Sequence, residues 1–389
     1  MKVLFVSIGS YGLLMPLIGA AEELARRGHR PVVLTHRRGR ALVETAGIAS
    51  IEGTAGEEGL SIEGWWTPRQ MVPQFHLVRD AIVAERPDVV MADSFTVGAI
   101  MAARAEGVPA AVLGPAAYIH PVGGIPAGDV GARIRGGRYA RLVEGYNEAA
   151  QTLGLPAASA TMNDDSPFLG DRYLLRSVPT FEAYAAQLPP RVRYAGACLH
   201  DSTDRDEELA AWIAGDAAPV AFVQIEKLFD FNDPIAVLFE LLEARGLRVA
   251  AALGQNAERY DDWEPEAFFV RSHLPQAQAL ASARIAVSTG HAMAVLGAIV
   301  AGVPNLILDF GSGAPELLHC CVTAGNGAGL LGMSADAESL APLLDRVLND
   351  DGMRTNALRI QRAFAEVDSF PTIAAVLAEL ARTPHVAKA

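Results

Sequence analysis

The chain has 389 residues, of which 51% are hydrophobic and 20% charged, with a formal net charge of −13. That length is too great for one ordinary core and suits two domains, and the composition excludes a disordered or low-complexity polymer. The acidic balance, spread along the sequence, excludes nucleic acid as the main partner, because binding a phosphate backbone needs a basic stripe.

The opening run, residues 3–8, is continuously apolar and bounded by Gly9, the pattern of a parallel strand covered on both faces. It is too short for a signal sequence. A loop, Gly9–Pro16, precedes a predicted helix over Leu17–Arg27, closed by Gly28. Pro31–Thr35 reads as a second strand and Arg40–Ala46 as a second helix. The alternation resumes with a helix at Leu77–Glu85, a strand at Val89–Ala92, a helix at Val97–Glu106 and a strand at Ala110–Leu113. Between Tyr118 and Thr180 the periodicity weakens, and the glycine-rich, charged stretch Gly123–Gly137 reads as a mobile covering loop. Arg191–Ala197 reads as the last strand of this half, and the apolar-poor run Asp201–Glu208 as the linker.

Beyond the linker the alternation restarts: strands at Val220–Ile225, Arg248–Ala252, Ala267–Arg271, Ile285–Ser288 and Asn305–Asp309, with helices at Pro234–Arg245, Gln276–Ser282 and Ala292–Ala301. Helices from Ala335 finish the chain. The expected fold class is α/β, two doubly wound Rossmann-like domains spanning 1–205 and 206–369, with a final helix near 370–389 packing back on the first. A small ligand is expected in the cleft between them. Cys198, Cys320 and Cys321 lack metal-ligand spacing, and two are adjacent, which fits a reducing cytoplasm. No apolar run is long enough to span a bilayer.

Residues 1–50 resemble the amino terminus of the GT-B glycosyltransferases that modify natural products, lipids and xenobiotics. The likeness is carried by the Gly9-to-Pro16 loop before a helix and by Arg27-Gly28-His29-Arg30-Pro31-Val32-Val33-Leu34-Thr35. Tyr11–Pro16 is similar to the loop of bacterial C-glycosyltransferases that decorate catechol siderophores. Pro87–Asp93, Gly107-Val108-Pro109, Arg191–Gly196, Pro275-Gln276 and Ser288–Pro304 fit the same template.

The resemblance implies an acceptor-side first domain, a donor-side second domain, and a UDP- or dTDP-sugar as co-substrate with no metal. It also exposes departures. Leu13 stands where the family's acceptor base is expected, and Asp93 matches the carboxylate that would orient it. Glu226-Lys227 replaces a Gly-Ser/Thr pair at the diphosphate. Thr289-Gly290-His291 stands for a His-Gly-Gly run, followed by Met293-Ala294 in place of Gly-Thr. Gly297 replaces the acid that grips ribose, Gly313-Ala314 an Asp-Gln pair on the sugar, and His273 the aromatic that stacks on the base. Gln276 is unchanged in the base pocket.

The site residues expected from this reading are Asp93 or His120 as acceptor-side base, with a cap of the following helix as the alternative role of Asp93. Lys227, beside Glu226, is expected to meet a phosphate as a point charge. The helix start Thr289-Gly290-His291-Ala292 is expected to bind an anion through backbone N–H groups, and Asp309 to bind a hydroxyl or cap the turn after it. Tyr11, Gly12, Leu13, Trp65, Trp66 and His76 are assigned to the acceptor, the tryptophans having core packing as their alternative.

The expected function is sugar transfer from a nucleotide donor to a small aromatic or polyketide-like acceptor in bacterial natural-product biosynthesis. The composition, rich in Ala, Gly and Arg, fits a high-GC bacterial source. Two other functions stay open: a non-sugar reaction such as cyclisation or elimination in the same fold, and a non-catalytic partner of a true glycosyltransferase. The sequence leaves a homodimer open and gives no sign of a membrane partner.

Overall fold

Short apolar runs, each followed by a helical stretch of similar patterning, fold here as parallel strands with helices crossing back over both faces. The computed structural model describes residues 1–53, 62–125, 129–200, 205–225, 234–260, 263, 266–309, 315–331 and 336–383. The chain divides into two compact units. One comprises Met1–Pro179, Tyr184–His200 and the segment from Val367; the other comprises Thr180–Ala183 and the segment from Asp201 to Glu366.

In the first unit β1 (Lys2–Ser7), α1 (Tyr11–Arg26), β2 (Arg30–Thr35), α2 (Arg37–Thr45), β3 (Ala49–Glu52) and α3 (Pro68–Glu85) lead to β4 (Val89–Asp93). Then come α4 (Val97–Ala105), β5 (Ala110–Leu113), α5 (Val130–Leu153), β6 (Arg172–Leu175) and β7 (Val192–Tyr194). The seven strands lie in the order β3-β2-β1-β4-β5-β6-β7, all parallel. Leu4, Val6, Val90, Ala92 and Val112 face one core with residues of α3, α4 and α5. Val3, Phe5 and Met91 face the other with Leu14, Leu17 and Ile18 of α1.

Three elements of this unit differ from the sequence reading. The helix after β1 begins at Tyr11, so the expected Gly9–Pro16 loop is mostly helical and Pro16 lies inside α1. A proline there cannot donate to the carbonyl four residues back, which is that of Gly12. Arg176 supplies the missing donor, its Nη1 lying 3.0 Å from the Gly12 oxygen. The helix expected from Leu77 begins at Pro68, where the proline occupies a position that needs no N–H, and tolerates Pro73 inside it. Most of the expected Gly123–Gly137 loop is the first part of α5, a helix of 24 residues capped by Asp129, whose Oδ1 accepts from the Ala132 N–H at 2.8 Å. Its glycines obscured the helical period; Gly145 is required because a Cβ there would overlap the Trp66 carbonyl.

The second unit contains α6 (Glu207–Ala214), β8 (Val220–Gln224), α7 (Pro234–Glu243), β9 (Arg248–Ala252), β10 (Phe268–Arg271), α8 (Gln276–Leu280), β11 (Ala283–Ser288) and α9 (Ala292–Ala301). β12 (Asn305–Asp309), α10 (Pro315–Ala324), β13 (Gly327–Leu331), α11 (Ala337–Asn349) and α12 (Asp351–Ala365) complete it. Its strands lie in the order β10-β9-β8-β11-β12-β13, again all parallel. Part of the stretch read as a linker is α6, started by Asp206 accepting from the Leu209 N–H at 2.9 Å. The final helix, α13 (Ser369–Arg382), belongs to the first unit. Its Ile373, Ala374, Leu377 and Leu380 are buried with α1, and Phe370 covers Gly19.

Among the described residues no helix is long and apolar enough to cross a membrane.

Candidate functional site

In a doubly wound sheet, the connections leave in opposite directions from two neighbouring strands, and a crevice opens at their carboxyl ends. The first sheet reverses between β1 and β4. There Asp93 closes β4, with no exposed surface. Its Oδ2 accepts from the Ile8 N–H at 3.0 Å, fastening the end of β1 to the end of β4. Its Oδ1 accepts from the N–H groups of Phe95 at 2.9 Å and Thr96 at 3.0 Å, which organises the turn into α4. Burial pushes this carboxyl above the usual range, opposed by those N–H donors and by Ser7. Gly9 follows β1 with φ of 82°, in the left-handed region that favours glycine. Ser10 occupies the N-cap position of α1 without a side-chain cap, so Tyr11, Gly12 and Leu13 form its first turn, with Tyr11 exposed and Leu13 half-buried.

The second sheet reverses between β8 and β11. β11 ends at Ser288 and passes through Thr289, Gly290 (φ 84°) and His291 into α9. The Ser288 Oγ accepts from the Gly290 N–H at 3.3 Å and holds this turn. α9 carries no acidic residue in its first turn, so its dipole and N–H groups favour an anion. Gln276, at the start of α8, donates through Nε2 to the Met293 carbonyl at 3.1 Å, the Ala294 carbonyl at 3.3 Å and the Gln224 Oε1 at 3.3 Å. A Cβ on Gly297 would overlap the Gln276 amide. Asp309, buried, ends β12 on the same edge. His273 is exposed between β10 and α8. Among the described residues no group of three or more His, Cys, Asp or Glu is arranged to hold a metal ion.

No protein-family model matches the chain. An uncharacterized glycosyltransferase of Mycobacterium tuberculosis is 26% identical over 385 residues, covering 90% of this chain and 92% of that protein. Among solved structures, the glycotransferase of kitacinnamycin aligns with a TM-score of 0.78 at 18% identity, over 97% of this chain and 98% of that one. A spinosyn rhamnosyltransferase complexed with thymidine diphosphate aligns at 0.74 and 15% identity, over 97% and 100%. The glycosyltransferase SnogD from Streptomyces nogalater aligns at 0.71 and 20%, over 98% and 99%. The fold is GT-B.

Within the GT-B frame several residues singled out in the sequence take other places. His120 is not at a solvent-facing edge. It is buried among the rings of Tyr118, Tyr139, Phe168 and Tyr173, and desolvation together with the nearby Arg138 pushes its pKa down to about 3. A histidine so depressed is a poor proton acceptor near neutrality, because the chain after β5 folds inward instead of staying at the rim. Trp65 and Trp66 are buried in the core beside α3 and α5, with Trp66 stacked on Phe95 at 6.0 Å, so packing is their role. His76 lies exposed midway along α3, set by helical phase away from the core side. Asp93 accepts from three backbone N–H groups, two of them in the turn into α4. Gln276 is buried against α9 and fills the space that a larger residue at Gly297 would need. Glu226 and Lys227, and the pair Gly313-Ala314, lie outside the described residues. Sequence reading missed Gln224, Ser288, Arg135 and Arg176; a buried arginine in a glycine-rich or loop segment carries no local signal.

Proposed function

We propose that this chain transfers a sugar from a nucleotide donor, UDP- or dTDP-linked, to a small acceptor of aromatic or polyketide type. The observation that carries the reading is the likeness to glycosyltransferases over 97% of the chain, with helix α9 starting at the second switch point where an anion is favoured. In this reading the first unit takes the acceptor and the second the donor. The start of α9 at Thr289, Gly290, His291 and Ala292 receives the diphosphate, with Lys227 as an added cation beside Glu226. Asp309 meets a donor hydroxyl and His273 the base. Tyr11, Gly12 and Leu13 line the acceptor side.

The transfer needs a nucleophile and a stabilised leaving group. α9 answers the second need. For the first, Leu13 has no proton acceptor, Asp93 is held by three backbone donors, and His120 is depressed to about 3. An acceptor that supplies its own nucleophile, as an acidic phenol or an electron-rich ring carbon does, lessens the need for a strong base. Three cysteines, none in a disulfide among the described residues, support a cytoplasmic setting.

Calorimetric titration with UDP-, dTDP- and GDP-sugars tests the reading. Binding of at least one at sub-millimolar concentration, followed by acceptor-dependent release of its nucleoside diphosphate, is the expected result. Binding of none at millimolar ligand removes it. Lys227→Ala should weaken nucleotide binding about tenfold, a loss of roughly 1.4 kcal/mol; an unchanged affinity takes Lys227 out of the site.

A further inference from the structure

Arg135 lies in the second turn of α5 and has no exposed surface. Its Nε donates to the Tyr118 carbonyl at 3.1 Å. The ring of Tyr184 covers one face of the guanidinium, 4.6 Å from its central carbon. Nη1 and Nη2, both buried, have no hydrogen-bond partner among the described residues. Asp129, the N-cap residue six positions before Arg135, directs its Oδ1 to the Ala132 N–H.

An arginine cannot shed its charge, so burying its fork unpaired is costly. Such a group persists where something arrives to pair with it. The surroundings narrow what that is. Arg138, three residues along α5, is also buried and lies close enough to act on His120. His120, held uncharged by burial, adds no anion to these surroundings. Tyr118, Tyr139, Phe168 and Tyr173 pack edge-on or stacked around His120, and Tyr118 also supplies the carbonyl that Arg135 Nε meets. Tyr118 follows β5 and Tyr184 follows β6, which places the fork at the carboxyl edge of the first sheet. The Nη pair has the spacing of a carboxylate's two oxygens.

We propose that Arg135 receives a carboxylate carried by the aromatic small molecule that this chain takes as acceptor, with the Tyr184 ring stacking the guanidinium into position. The assignment of that molecule as acceptor rests on the glycosyltransferase reading; the carboxylate site itself does not.

Two probes of the same shape test it: 2-naphthoate and its neutral amide, 2-naphthamide, titrated by calorimetry into the full chain. The carboxylate should bind at least tenfold more tightly than the amide. In Arg135→Met the two should bind within twofold of each other, and in Arg135→Lys, which keeps charge but loses the fork, the preference should fall to an intermediate value. Arg135→Met should also melt no lower than the natural chain, because an unpaired buried charge is replaced by an apolar side chain of similar length. Equal affinity for the two probes in the natural chain, or no binding of either, overturns the proposal even if no variant folds. A carboxylate preference that survives in Arg135→Met overturns it too. UDP, thymidine diphosphate and GDP titrated into the same samples separate the two readings. A chain that prefers the carboxylate and ignores every nucleotide keeps this site and loses sugar transfer. A chain that binds the nucleotide without a carboxylate preference does the reverse.

Discussion

His120 shows how one buried side chain sets a pH response. A histidine in the unfolded chain titrates near 6.5, whereas in the fold its pKa is about 3. Between those values the unfolded chain binds a proton that the folded chain refuses, so stability falls as pH drops below 6.5 and is unaffected above it. From pH 6.5 to 5 the loss is about 2 kcal/mol. His120→Phe, which suits the aromatic surroundings, should remove that increment when urea unfolding is compared at pH 7 and pH 5. An acid slope unchanged in the variant would count against the burial of His120. Gly297 makes a second case. The sequence presents it as a lost acid, but the structure shows why no acid fits: the Gln276 amide occupies the space. Gly297→Glu should destabilise by about 2 kcal/mol through overpacking. Adding Gln276→Ala should recover about 1 kcal/mol of it, since residues in contact couple; strict additivity in denaturant melts would separate the two positions.

At the scale of elements, strands were the most legible, because a fully buried parallel strand is an unbroken apolar run whatever its partners. Residues 89–92, 248–252 and 305–309 were readable in this way. The helix starts were not. Pro16 closes the expected loop in the sequence reading, yet α1 contains it because a tertiary contact meets the carbonyl that proline leaves over, and α3 likewise contains Pro73. For α1 that contact is Arg176, buried, its charge disfavoured by desolvation and its Nη1 on the Gly12 carbonyl. Arg176→Met should destabilise by about 2 kcal/mol, and Pro16→Ala in that background should restore about 1 kcal/mol by returning an N–H to Gly12. No recovery in chemical unfolding would break the link between the two residues. α5 escaped notice for a related reason: Gly131, Gly136, Gly137 and Gly145 lower helix propensity, and only the approach of the Trp66 backbone explains why Gly145 is kept.

For the whole molecule, the chain order hides which parts fold together. α13 follows α12 in sequence yet completes the core that α1 begins. Removing the chain from Val367 onward exposes Leu17, Ile18 and Leu24 and discards Ile373, Leu377 and Leu380. At roughly 2 kcal/mol for each large side chain left unburied, the loss rivals the whole stability of a domain. The truncated protein should lose the cooperative thermal transition of its first unit in circular dichroism; a transition of unchanged midpoint would show α13 to be dispensable. By itself the sequence determined the α/β class, the parallel strands and the replaced motifs at Leu13, Gly297 and Thr289–His291, since these follow from local apolar pattern and residue identity. Only the tertiary structure decided that Asp93 is held by backbone donors, that His120 and the two tryptophans are core, and that the Arg135 fork is buried without a partner among the described residues. Burial and hydrogen-bond pairing depend on what the rest of the chain brings alongside, and no local window of sequence contains that.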